Sequence, residues 1–231
     1  MYSEDFSLFL NSISAKPLRV LDAAISNSQY ISIDLSENNP DLKKFDISSS
    51  NAWQEYINNY LEKNNKTVAF GGYLEKRNLY KRSLYFNQEN SEHERNIHLG
   101  VDLWIAAGTK IYTPLDATVH SFKNNTNFGD YGPTIILIHN IKGESFFTLY
   151  GHLSLISIAN LKIGQTFKAG DCIATLGEAS VNGDYAPHLH FQIIRDLEGN
   201  YGDYPGVCNK KNLDKFKKNC PDLNTLLKLN Y

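Results

Sequence analysis

The stretch HLHFQII, residues 188–194, sets the reading of the whole chain. It is apolar and reads as a β-strand. Residues i and i+2 of a strand share a face, so His188 and His190 converge while Leu189 points the other way. Two imidazoles on one face suit a metal site, with one on the ion and the other beside it. A pair of exposed strand histidines has the same pattern, so the neighbouring motifs must discriminate.

Outward from this stretch the texture stays β-like. The runs IHLGVDLW (97–104), KIYTPLDATVHSF (110–122), PTIILIH (133–139), SFFTLYGHL (145–153) and DCIATLG (171–177) are short and punctuated by Gly, Pro and Asp. Their spacing predicts an all-β sandwich or a partly open barrel. His98 and Asp102 form H-x-x-x-D, and imidazole and carboxylate are both normal zinc ligands at about 2.0–2.2 Å. Gly100 between them permits a tight backbone path. A surface histidine and a turn aspartate are the plainer alternative. His152 follows FFTLY, where Gly151 marks a bend or a close backbone approach; a strand-end histidine is the alternative there. His93, His120 and His139 have no such company and read as structural or exposed.

The flanks differ in character. Residues 1–65 are polar, rich in Asn and Ser, and helically patterned. Trp53, Tyr56, Ile57, Tyr60 and Leu61 recur at helical spacing within 51–63, with Ser50 as N-cap and Asn64-Asn65 as the stop. Asn38-Asn39-Pro40 reads as a turn. Residues 66–96 connect: VAFGGYL reads as a strand, followed by the basic, aromatic stretch YLEKRNLYKRSLYF (73–86). There Arg77, Tyr80 and Arg82 could frame a cleft, a packed amphipathic connector being the plainer reading. Residues 209–219 predict a short helix anchored by Leu213 and Phe216.

Composition bounds the function. A hydrophobic content of 42%, 21% charged residues and a net charge of -2 support a buried core and argue against dominant disorder. The missing basic surplus argues against a nucleic-acid partner. No segment approaches the ~18 consecutive apolar residues of a membrane span. The N-terminus carries Glu4 and Asp5 and only interrupted apolar runs, so no secretory signal is read. That favours the cytoplasm, with export by another route left open. Three cysteines without a CxxC pair speak against a cysteine zinc site. Cys172, in DCIATLG, reads as a buried thiol, and Cys208 and Cys220 as free thiols of a reducing compartment.

Taken together and in order, HLGVDLW (98–104), Tyr150-Gly151-His152-Leu153 and APHLHFQ (186–192) resemble the LytM/lysostaphin-type zinc metallopeptidases. GTKIYTPLDATV (108–119) resembles their Pro-containing β segment, and GQTFKAGDCIATLG (164–177) their Gly-turn strand pair. The resemblance implies a mainly β catalytic domain of antiparallel sheets over 97–197. Around it lie an α-rich N-terminal region (1–65), a connecting segment (66–96) and a C-terminal extension (198–231) with a short helix. It implies His98, Asp102 and His190 as ligands of Zn2+, with water in the fourth position. It implies His152 and His188 as unligated active-site histidines that move the proton and hold the oxyanion.

The implied function is a zinc metalloendopeptidase acting on a peptide or peptidoglycan-derived substrate, often next to glycine. The alternative is a non-catalytic or latent LytM-like regulatory module working through protein contacts. A third class is a carrier or phosphotransfer domain, since GQTFKAGDCIATLG is also similar to lipoyl-type hairpins. Lys168 lacks the hairpin-tip context such a carrier needs. Two departures bear on substrate and latency. Gln192 stands where the family often has Glu, and ASVNGDYAP (179–187) replaces the usual Thr-Gly-rich loop. Some relatives place an upstream Asn on the zinc, for which Asn78, Asn87, Asn90 and Asn96 are candidates.

Overall fold

The computed structural model describes residues 3–82 and 94–230. Helix α1 (Ser3–Ile13) is followed by strand β1 (Tyr30–Ser32), helix α2 (Ser50–Lys63) and strand β2 (Val68–Gly71). Next come β3 (Ile97–His98), β4 (Val101–Trp104), β5 (Lys110–Tyr112), β6 (Ala117–Asn125), β7 (Gly132–Ile141) and β8 (Glu144–Gly151). A single turn, α3 (Ile156–Ala159), precedes β9 (Thr166–Phe167), β10 (Cys172–Thr175), β11 (His188–Ile194) and β12 (Val207–Cys208). The helices α4 (Leu213–Asn219) and α5 (Asn224–Leu227) follow.

Eight strands form one sheet in the order β1-β2-β4-β11-β8-β7-β6-β9. Neighbours are antiparallel except β1 and β2. The end strands do not pair with each other, so the sheet is open rather than a closed barrel. Two small pairs, β5 with β10 and β3 with β12, stand beside it.

Strand β11 is central and buried along its whole length, as expected of a strand covered on both faces. Leu189, Phe191 and Ile193 enter the main core with Val101, Leu103, Ile135 and Leu137. Phe6 and Leu10 of α1 and Leu226 and Leu227 of α5 close that core. The alternate residues His188, His190 and Gln192 face the other way. On that side lie a cluster containing Trp53, Ile57, Trp104 and Tyr185 and a separate one containing Tyr131, Ile136, Leu149 and Ile194.

Several details differ from the sequence reading. The cap of α2 is Ser49, whose hydroxyl accepts from the Ala52 amide at 3.3 Å. Ser50 is already helical and its hydroxyl donates instead to Asp184 at 2.6 Å. Tyr30–Ser32 is a strand inside the stretch patterned as helical, because pairing with β2 outweighs a three-residue local signal. Cys172 is exposed, since β10 pairs only with β5 and turns that side chain outward. Cys208 and Cys220 are buried free thiols, and Leu213 and Phe216 pack against the core beside them. Lys168 does open a turn, closed by the Asp171 amide to its carbonyl at 2.9 Å. Its ammonium group, however, lies 2.9 Å from Asp116, and the flanking strands belong to different sheets, so no carrier hairpin forms. Among the described residues, no helix is long and apolar enough to cross a membrane.

Candidate metal centre

The antiparallel register assembles the site. On β11, His190 lies opposite Asp102 of β4 on one side and Gly151 of β8 on the other, while His188 lies opposite Trp104. His98 sits at the end of β3, and His152 directly follows β8. Gly100 makes the approach possible: a Cβ there would stand 2.7 Å from the His190 ring. A Cβ at Gly151 would stand 2.6 Å from the Tyr131 ring. His152 itself has φ +61, an uncommon left-handed conformation for a residue other than glycine.

His98, Asp102 and His190 offer ligand atoms that converge. His98 Nε2 is 2.9 Å from His190 Nδ1 and 3.3 Å from Asp102 Oδ1, and His190 Nδ1 is 3.2 Å from the same oxygen. The far side of each ring fixes the proton. His98 Nδ1 donates to the Gly72 carbonyl at 3.0 Å. His190 Nε2 donates to Gln192 Oε1 at 2.9 Å, with the Tyr131 hydroxyl 3.3 Å away. Gln192 is oriented in turn, because its amide nitrogen donates to the Pro205 carbonyl and the Cys220 sulfur, each at 3.2 Å. Two lone pairs and a carboxylate oxygen therefore aim at one point with no proton between them. Such an arrangement can hold a cation, and the N/N/O donor set fits zinc.

Burial and charge shape the electrostatics. All three groups are at most 2% exposed. Burial pushes the His98 pKa down to about 4 against the pull of Asp102. Burial would raise Asp102, but His98 and Arg77 hold its carboxyl well below the usual range. Asp102 Oδ2 accepts from Arg77 Nη1 at 2.6 Å, and Arg77 Nε bonds Glu75 at 2.5 Å.

His152 and His188 stand beside the cluster, their rings 4.2 Å apart. His152 Nδ1 donates to the Asn182 carbonyl at 2.7 Å and His188 Nδ1 to the Ala186 carbonyl at 2.8 Å. Nε2 is thus the lone-pair nitrogen of both, and that of His188 is 3.8 Å from Asp102 Oδ1. Burial lowers His188 to about 4 and His152 well below its ordinary value. Trp104 stacks on His188 at 4.1 Å and fixes its plane. The five histidine and aspartate side chains line one cavity of about 140 Å³, with Arg77 and Tyr80 from the connecting segment on its wall.

The other histidines are apart. His139 is buried and doubly hydrogen-bonded, to the Asp116 carbonyl and Thr148, and His120 packs against Phe147. His93, Asn87 and Asn90 lie outside the described residues, as does the Arg82 side chain. Asn78 and Asn96 do not line the cavity. The sequence reading missed the bond from Arg77 to Asp102 and the support that Gln192 and Tyr131 give His190. Gln192 was accessible, being i+2 from His190 on the same strand face; Tyr131 comes from a separate loop and carries no local signal.

Known proteins resemble the part of the chain that carries this cluster. Residues 96–203 match the model of Peptidase family M23. Over 95 residues the chain is 35% identical to an uncharacterized metalloprotease of Haemophilus influenzae, a match covering 41% of this chain. The chain spans 18% of that relative's length. The catalytic domain of the antimicrobial peptidase lysostaphin from Staphylococcus simulans is 27% identical, with a TM-score of 0.37 over 53% of this chain and 80% of that one. A zinc-containing peptidase from Vibrio cholerae is 27% identical, with a TM-score of 0.35 over 45% and 31%. Residues 96–203, which hold the convergent His98, Asp102 and His190 and both neighbouring histidines, are thus a Peptidase family M23 region of the LytM-like type.

Proposed function

We propose that the chain is a zinc metalloendopeptidase cleaving peptidoglycan-type or glycine-containing peptides. One observation carries the reading. His98 Nε2, Asp102 Oδ1 and His190 Nδ1 meet within 2.9–3.3 Å, and two unligated histidines stand next to them. A zinc ion held by these three residues would supply Lewis acidity to a water molecule and to the scissile carbonyl. The remaining work falls to the chain. His152 and His188 are neutral at pH 7 with Nε2 unprotonated, so one can take the proton of the attacking water and return it to the leaving amine. The other can donate from Nε2 to the developing oxyanion once it has taken a proton from solvent, a contribution worth about 3 kcal/mol in comparable sites. Their fixed Nδ1 bonds and the Trp104 stack keep both in position without reorganisation.

The test is hydrolysis by the zinc-loaded full chain. Muropeptides and pentaglycine are incubated with it, and products are read by mass spectrometry. New amine and carboxyl ends, lost in His152→Ala, support the reading.

A second reading is a latent or regulatory form, and one observation favours it. A cavity of about 140 Å³ is below the ~300–1,000 Å³ usual for ligand sites. Zinc binding without cleavage of either substrate would select this reading.

A further inference from the structure

We propose that the loop Gly72–Arg77 is a positioning clamp for the metal, in which the neutral pair Glu75–Arg77 holds Asp102 to a single ligating oxygen. The inference rests on the zinc assignment made above. Asp102 has two oxygens with different duties. Oδ1 faces His98 and His190 at 3.3 and 3.2 Å, whereas Oδ2 accepts from Arg77 Nη1 at 2.6 Å. The guanidinium is 2% exposed, so it cannot exchange this bond for water. The same loop grips a second ligand, because the Gly72 carbonyl accepts from His98 Nδ1 at 3.0 Å. It is laced to the strand bearing His98 by the Leu74 amide to the His98 carbonyl at 2.9 Å and the His98 amide to the Glu75 carbonyl at 3.0 Å. Gly72 is required at the bend: its φ is +105, and a Cβ would stand 2.1 Å from Arg77 Nη2 and 2.8 Å from His98 Nδ1.

A guanidinium next to a cation site should repel the cation. Glu75 answers that objection. Its Oε2 bonds Arg77 Nε at 2.5 Å, and its Oε1 accepts from the Leu35 amide at 2.9 Å. The pair brings almost no net charge to the metal, so orientation of the carboxylate outweighs repulsion. The Leu35 bond also ties the chain just beyond β1 to the metal site through three side chains. Arg77 is thus a positioning residue, acting through Asp102.

The experiment is zinc affinity of the full chain, measured by competition with a chromophoric chelator at fixed pH. Wild type, Arg77→Met, Arg77→Lys, Glu75→Gln and His190→Ala are compared, with folding checked by circular dichroism. Removing a hydrogen bond to a metal ligand commonly weakens binding ~10–100-fold. Arg77→Met should fall in that range and Arg77→Lys between it and wild type. Glu75→Gln should weaken zinc too, because it exposes the guanidinium charge. A purely structural counter-ion would behave in the opposite way, its removal leaving affinity unchanged or raising it. That result in Arg77→Met, or unchanged affinity in Glu75→Gln, overturns the proposal. If Arg77→Met does not fold, Arg77→Lys and Glu75→Gln decide alone. Wild type that binds no zinc, or His190→Ala that binds as wild type does, contradicts the zinc assignment itself.

Discussion

His190 depends on both of its ring nitrogens: Nδ1 faces His98 and Asp102, while Nε2 is pinned by Gln192. Gln192→Leu should therefore weaken zinc binding ~10–100-fold in an equilibrium competition assay, although residue 192 is no ligand. Replacing His152 or His188 by Ala should leave zinc stoichiometry intact and lower the hydrolysis rate ~10²–10⁴-fold, the usual worth of positioned acid–base groups. Loss of zinc from either variant would move that residue into the ligand set. Gly100→Ala drives a methyl group into the His190 ring and the Phe191 carbonyl, each 2.7 Å away. It should cost about 1–3 kcal/mol in urea unfolding, as overpacking does. The four histidines and Asp102 were legible because strand periodicity and short motifs put them on β3, β4 and β11 and just past the end of β8. Arg77 was named in the sequence only as a cleft-framing candidate. Its bond to Asp102 spans 25 residues and is made by tertiary packing, which no local period encodes.

At the scale of elements, helix α2 buttresses the site from behind. Trp53, 3% exposed, stacks on Trp104 at 6.5 Å, and Trp104 stacks on His188 at 4.1 Å. Trp53→Ala should cost ~3–5 kcal/mol of stability. It should also lower kcat more than it changes KM, since it loosens His188 rather than a substrate contact. Steady-state kinetics of the folded fraction check this; a change in KM alone would count against the buttress. The helix was readable from its 3.6-residue pattern, as β11 was from its apolar run. Strand β1 was not, because three residues carry too little periodicity and its pairing partner Val68–Gly71 lies more than thirty residues on. Cys172 misled for a related reason: an apolar run looks buried, yet an edge strand of a two-stranded sheet covers only one face.

For the whole molecule, pH tests the packing through a histidine remote from the cavity. His139 donates from Nδ1 to the Asp116 carbonyl and accepts at Nε2 from Thr148. Burial lowers its pKa to about 4, whereas an unfolded histidine titrates near ~6.5. Between these values the unfolded chain takes up a proton that the folded chain refuses. Stability from this group is therefore complete above about pH 6.5 and falls as pH drops toward 4, by at most ~1.4 kcal/mol per pH unit. His139→Gln, which keeps a donor and an acceptor, should flatten the slope of zinc-loaded protein in denaturant titrations at pH 7 and 5; an unchanged slope contradicts the assignment. Metal removal acts on the same scale. A chelator should lower Tm, since zinc at 1,000 times its Kd stabilises by about 4 kcal/mol. The metal-dependent effects all require His98, Asp102 and His190 to hold one zinc ion. Crystals of the metal-replete full chain, with anomalous scattering measured on both sides of the zinc edge, test it most directly. A single peak is expected among His98 Nε2, Asp102 Oδ1 and His190 Nδ1; no peak there, or zinc bound elsewhere in the chain, overturns the zinc assignment.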